Sequence, residues 1–257
     1  MTRAAAARWV GVAVLVLAGP VVATHADAPP TIVCIGDSIT AGIVRGAQDP
    51  ADARRDPAGG YPGRLQRRFG ARAHVVNRGL PGGSARIWLL DPAGDGAIFW
   101  DAVQRAFPDL DTSATIASPS ILLRVLAADR PNVVVIMLGS NDLSEDPDDP
   151  QAAAKAAERL AEVVRQARTR APIVLIATVP PNRRDPRQLQ TALNDLLRAT
   201  EPDVLDVGRR FSAAGWRRLL GDDIHPNARG HALIARVIGR SLLRRGYVER
   251  RESASRR

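Results

Sequence analysis

The chain has 257 residues, 45% of them hydrophobic and 25% charged, enough to bury a substantial core in one large domain or two small ones. Its formal net charge is +9, yet Lys155 is the only lysine and the arginines are spread without a long basic block, which argues against a nucleic-acid partner. A lone cysteine, Cys34, excludes an intramolecular disulfide, so the domain must stand on its core.

At the amino end, Arg3 and Arg8 form a positive stretch ahead of an apolar, uncharged run from Trp9 to Ala23, and Ala26-Asp27-Ala28 has the small-x-small form of a cleavage site. Residues 1–28 therefore read as a secretory signal peptide. The run is shorter than the ~20 residues that span a bilayer, which disfavours a permanent anchor; an uncleaved signal-anchor is the lesser alternative. No Arg-Arg pair precedes it, so a general secretory route fits better than a twin-arginine one. The expected product is an exported domain over residues 29–248, periplasmic or extracellular, with no stable membrane insertion after cleavage.

The apolar segments that follow alternate in type. Thr31–Ile35, His74–Asn77, Val133–Leu138, Ile173–Val179 and Val204–Val207 are short, rich in Val and Ile, and bounded by Gly, Pro or Asn, as buried strands are. Helical patterns separate them: Tyr61–Phe69, Ser120–Asp129 behind a Ser118-Pro119 start, Gln151–Thr169 behind Asp149-Pro150, Arg187–Thr200, and Asn227–Arg244. The alternation predicts an α/β fold, a three-layer α/β/α sandwich on a mostly parallel five-stranded sheet. Residues 46–60 read as a surface loop, 86–117 as an elaborated loop region, and 249–257 as a basic frayed tail. The aromatics of that region, Trp88, Phe99 and Trp100, read as core before ligand platform. Cys34, inside the first apolar run, reads as a small buried hydrophobe.

Polar groups useful to chemistry stand where strands end. Gly36-Asp37-Ser38-Ile39-Thr40 delivers a serine at the carboxyl end of the first strand, where open parallel sheets bind ligands; taken alone, Asp37 or Ser38 is as well explained as a helix cap. Asn77-Arg78-Gly79-Leu80-Pro81-Gly82-Gly83-Ser84 follows the second strand, with glycines that allow close backbone approach. Gly139-Ser140-Asn141-Asp142 follows the third, offering a side-chain amide or simply a stable turn. Far downstream, Asp222-Asp223-Ile224-His225-Pro226-Asn227 sets a carboxylate three residues before an imidazole, so the acid can hold one ring nitrogen while the other faces a substrate. His74 and His231 read as packing or surface residues. Asp146-Pro147-Asp148-Asp149 reads as a helix cap, not a metal site.

These four segments, in this order, resemble the GDSL-type, or SGNH, hydrolase superfamily over roughly residues 31–238. The resemblance implies a serine esterase working through an acyl-enzyme: Ser38 as nucleophile, His225 as base, Asp222 as its orienter, and an oxyanion hole from the N–H groups of Ser38 and Gly82 with the amide of Asn141. Gly79 is the less favoured alternative to Gly82. It implies ester substrates, short acyl or acetyl esters first, with acetylated polysaccharide and lysophospholipid also open, and no metal or organic cofactor. The alternatives are an O-acyltransferase using the same site on a glycan acceptor, or a degenerate envelope-binding module. Two departures from the family pattern are expected to matter: Asp223, a second carboxylate near His225, and the long stretch between Gly82 and Gly139.

Overall fold

The computed structural model describes residues 28–45, 53–111, 119–185 and 188–249. The expected signal segment up to Asp27, part of the 46–60 loop, residues 112–118 and 186–187, and the tail from 250 lie outside them.

Six strands occur among the described residues: β1 (Thr31–Gly36), β2 (Ile43–Arg45), β3 (Arg54–Arg55), β4 (His74–Gly79), β5 (Val133–Met137) and β6 (Ile173–Ile176). Four of them form one parallel sheet in the order β4-β1-β5-β6, and β2 and β3 form a small antiparallel pair. Side chains of the central strands alternate between two cores with the period of two that a pleat imposes. Val33, Ile35, Val134, Ile136, Val174 and Ile176 face one cluster, and Ile32, Cys34, Val133, Val135, Met137 and Leu175 the other. Both faces are therefore buried, and the strands are near-continuous apolar runs.

The first core is covered by α2 (Ala85–Leu89), α3 (Ala97–Ala106), α4 (Ile121–Asp129), α5 (Ser140–Glu145), α6 (Ala152–Ala167) and α7 (Leu189–Thr200). The second is covered by α1 (Gly60–Phe69), α8 (Val207–Ala213) and α9 (Ala228–Arg244). Helix on sheet on helix makes the three layers expected from the alternation.

Four expectations change. The sheet has four strands, not five: the segment at 204–207 contributes a single parallel bridge, Ala177 to Leu205. Leu205 donates to the Ile176 carbonyl and accepts from Thr178, but Asp206 immediately caps α8 by accepting from Arg209, which ends the extended run. No helix follows Ser38 directly. Residues 37–42 form a tight turn, with Ala41 N–H bonded to Asp37 O and Ile43 N–H to Ser38 O, which leads into β2. α4 is capped by Ser120, whose hydroxyl accepts from Leu123, two residues later than the Ser118-Pro119 signal implied. The 86–117 region is helical in large part, through α2 and α3. Trp88 is fully buried there, and Phe99 and Trp100 pack against the first core, so its described aromatics build the wall of the domain.

Candidate active site

Parallel register brings the candidate segments to one edge. Gly36 pairs with Gly79 on one side and Met137 on the other, so Ser38, Gly82 and Asn141 leave neighbouring strand ends a few residues further on. Two glycines let the backbones close together there. A Cβ on Gly36 would lie 1.9 Å from Thr40 Oγ1, and one on Gly79 would lie 2.0 Å from the Ala41 nitrogen. The turn bearing Ser38 thus folds flat against the end of β4.

The loop carrying the imidazole arrives from the other end of the chain and is braced from several sides. Gly221 donates to the His225 carbonyl, Asn227 N–H to the Leu219 carbonyl, and the Asn227 side chain both caps α9 and binds the Arg218 and Leu220 carbonyls. Asp222 Oδ1 accepts from the backbone of Ile224 and His225 at 2.8 and 2.7 Å, which locks the carboxylate beside the ring. Its Oδ2 lies 2.8 Å from His225 Nδ1, and His225 Nε2 lies 3.0 Å from Ser38 Oγ. A carboxylate can only accept, so in the neutral imidazole it is Nδ1 that carries the proton, and Nε2 presents its lone pair to the serine hydroxyl. His225 is buried and Ser38 half-buried, while the Asp222 carboxylate keeps partial contact with solvent.

Asn141, at the start of α5, donates one amide hydrogen to the Gly83 carbonyl at 2.8 Å. An amide has two N–H bonds, so the same contact that fixes the side chain leaves the second available. Gly82 is exposed and has φ +77°, a left-handed conformation that favours glycine although a Cβ would meet nothing within 4 Å. Gly79 differs, since its N–H is already bonded to Asn77 Oδ1 at 2.9 Å. Of the two glycines, only Gly82 has its N–H uncommitted among the described residues.

Three residues that the sequence reading did not single out for the site hold these two loops together. Asp142 Oδ2 accepts from Ala85 N–H at 2.9 Å, Ser84 Oγ donates to Glu145 at 2.9 Å, and Glu145 also pairs with Arg86. With the Asn141–Gly83 bond, they rivet residues 83–86 to residues 141–145. Asp142 is buried, and that burial raises its pKa against the stabilising Ala85 N–H. Asp37 is also buried and accepts from Ile39 N–H at 2.8 Å; burial, with the Asp142 charge adding, pushes its carboxyl up to about 7. Asp223 does not crowd the imidazole: it is half exposed and sits 3.5 Å from Arg183.

Beside Asn141 and Ile224 opens a cavity of about 270 Å3, walled by α5 and the start of α7 and lined by Leu143, Asn182, Arg184 and Gln190 among others. Among the described residues no group of three or more His, Cys, Asp or Glu is arranged to hold a metal ion, and no helix is long and apolar enough to cross a membrane.

Comparison with known proteins agrees with this architecture. The sequence finds no match among curated proteins. Among solved structures, a lipase/acylhydrolase from Enterococcus faecalis superposes with a TM-score of 0.58 at 21% identity, covering 87% of this chain and 100% of that one. An aryl esterase from M. smegmatis gives 0.56 at 23% identity, over 83% of this chain and 100% of that one. A carbohydrate acetylesterase from Sinorhizobium meliloti gives 0.56 at 19% identity, over 83% and 98%. At such identities the likeness is one of fold. The family itself is established by the sequence model described as GDSL-like lipase/acylhydrolase, which matches residues 34–233 and so spans every segment assembled at this sheet edge. The chain belongs to the GDSL-like lipase/acylhydrolase family and is a carboxylic ester hydrolase.

Proposed function

We propose that the protein cleaves short acyl or acetyl esters through an acyl-enzyme intermediate on Ser38. His225 Nε2 takes the hydroxyl proton as Ser38 Oγ attacks the ester carbonyl, and Asp222 stabilises the imidazolium that forms. The oxyanion is received by the N–H groups of Ser38 and Gly82 and the free amide hydrogen of Asn141. The imidazolium then gives its proton to the departing alcohol. Water, deprotonated in turn by His225, releases the acid and restores Ser38.

The observation that carries this reading is the continuous contact from Asp222 through His225 to Ser38, at 2.8 and 3.0 Å, across 187 residues of sequence. A short acyl group is favoured because the adjoining cavity, about 270 Å3, falls just below the ~300–1,000 Å3 of sites that hold drug-sized ligands. On the same reading, residues 1–28 act as a secretory signal and residues 29–248 are the exported catalytic domain; mass analysis of the secreted protein tests that part.

The test of the chemistry is hydrolysis of p-nitrophenyl esters of increasing chain length, with fluorophosphonate labelling followed by intact mass. Acetate and butyrate should turn over fastest, and one adduct should form on Ser38. Turnover and labelling that persist in Ser38→Ala would overturn the assignment.

A further inference from the structure

Among the described helices, the excess of basic over acidic side chains is concentrated on one side of the sheet. Helices α1, α8 and α9 carry three, two and four arginines and no Asp or Glu. The helices of the opposite layer, α2 to α7, carry seven basic and seven acidic side chains. Helical periodicity decides where the arginines go. Leu65 and Phe69 on α1, and Ile234, Ile238 and Leu242 on α9, turn inward to the second core, so the positions between them face outward.

Two grooves result. Arg210, Arg236, Arg240 and Arg244, with Val237 and Leu243, line one of about 430 Å3 between α8 and α9. A second, of about 320 Å3 between α1 and α9, shares Arg236 and adds Arg64, Arg67 and Arg68. No carboxylate lines either groove, and of their arginines only Arg64, in the second, is matched with one, the buried Asp56. Among the described residues Arg210, Arg236, Arg240 and Arg244 have no ion pair or side-chain hydrogen bond. On the other layer Arg159, Arg165 and Arg198 are each matched with a carboxylate. Clustered guanidinium groups without counter-charges repel one another, and a surface that supplies anions relieves them.

We propose that this face docks the protein onto the headgroup layer of an anionic phospholipid membrane. Two grooves lying side by side across three helices match a plane of phosphates better than a single strand. Neither groove is lined by an aromatic side chain, so the platform on which single-stranded nucleic acid stacks is missing. Among the described residues the exposed large hydrophobics, Ile98 and Leu196, lie on α3 and α7 in the opposite layer. Docking is therefore electrostatic, without an apolar wedge, as polybasic membrane contacts are. Because α9 begins three residues after His225, the candidate site would sit at the margin of the contact, open to esters at the membrane surface.

The test is cosedimentation of the purified protein with vesicles of phosphatidylcholine alone or with about one third phosphatidylglycerol, at low and high salt. Binding should require phosphatidylglycerol and be released by salt. Each basic residue at such a surface adds about fivefold to partitioning, so Arg240→Gln with Arg244→Gln should lower it about 25-fold. Arg105→Gln with Arg165→Gln, equal in charge but on the other layer, should leave it unchanged. Both double variants should hydrolyse a soluble acetyl ester at the parental rate. Equal loss in the two doubles, or equal partitioning to neutral and anionic vesicles, would refute the proposal. So would capture of duplex DNA by this face without vesicle binding.

Discussion

Two buried ionisable groups, Asp37 and His231, should oppose each other in the pH dependence of stability, and single substitutions should expose each. Burial pushes Asp37 up to about 7, against an ordinary carboxylate value of ~3.9. Between those values the folded protein keeps a proton that the unfolded chain has lost, so Asp37 makes stability fall as pH rises. His231 behaves in the opposite way. It is fully buried on α9, its Nε2 lies 3.2 Å from the Ile43 carbonyl, and Nδ1 has no partner in the described residues. Burial lowers its pKa to about 4, so between about pH 6.5 and 4 the unfolded chain binds a proton that the folded state refuses, and stability rises with pH. Each slope is ~1.4 kcal/mol per pH unit in magnitude, and over the shared window they oppose each other. Urea unfolding at several pH values between about 4.5 and 6 reads the difference between variant and parent. Asp37→Asn should gain about 2 kcal/mol relative to the parent as pH rises across that window. His231→Gln should gain about 2 kcal/mol as pH falls across it. A difference that stays flat with pH for either variant would refute the linkage for that residue, whatever its mean effect on stability.

Other expected outcomes are more local. Asn141→Ala removes a proposed oxyanion donor and the Gly83 contact, and should lower kcat by about 10²–10³ with little change in KM, measured on a p-nitrophenyl ester. Arg78 is buried, with its guanidinium bonded twice to the buried Asp129 and once to Asp109. Arg78→Met should cost about 3–5 kcal/mol by chemical denaturation, and adding Asp129→Asn should recover part of that by removing the orphaned charge. Cys34 is fully buried and its thiol is pushed up to about 12, mainly by that burial, so a thiol reagent should react only after denaturant unfolds the protein.

Much of this molecule could be read from its residues because the informative signals were local and repeated. β1 and β5 are apolar without interruption because both faces are covered, and their ends are marked by Gly36 and by Gly139, which has φ +123°. The strand at 204–207 failed for a reason no hydrophobic pattern carries: the same Val-Leu-Asp-Val sequence that suits a strand also holds the Asp206 cap of the next helix, and the cap prevailed after one bridge. The aromatics of the 86–117 region were legible as core by residue type. The short helices holding them were not, since α2 is only five residues long and offers little periodicity.

The candidate site divides along the same line. Residues whose role depends on chemical type, a serine, a histidine and a carboxylate three positions away, stand out by identity. Residues whose role is to rivet one loop to another do not, because Ser84, Asp142 and Glu145 act through partners about sixty positions distant. Their arrangement has a consequence for how the site tolerates change. Asn141 is held by Gly83, and the segment containing Gly82 and Gly83 is held in turn by Asp142 and Glu145 through Ala85 and Ser84. The two proposed oxyanion donors, from different strand ends, are therefore set by one shared network, so displacing either loop should disturb both together. Single substitutions in this network should accordingly be less than additive in their effect on kcat, whereas substitutions in the Asp222–His225 loop, braced separately through Asn227 and Gly221, should add to them.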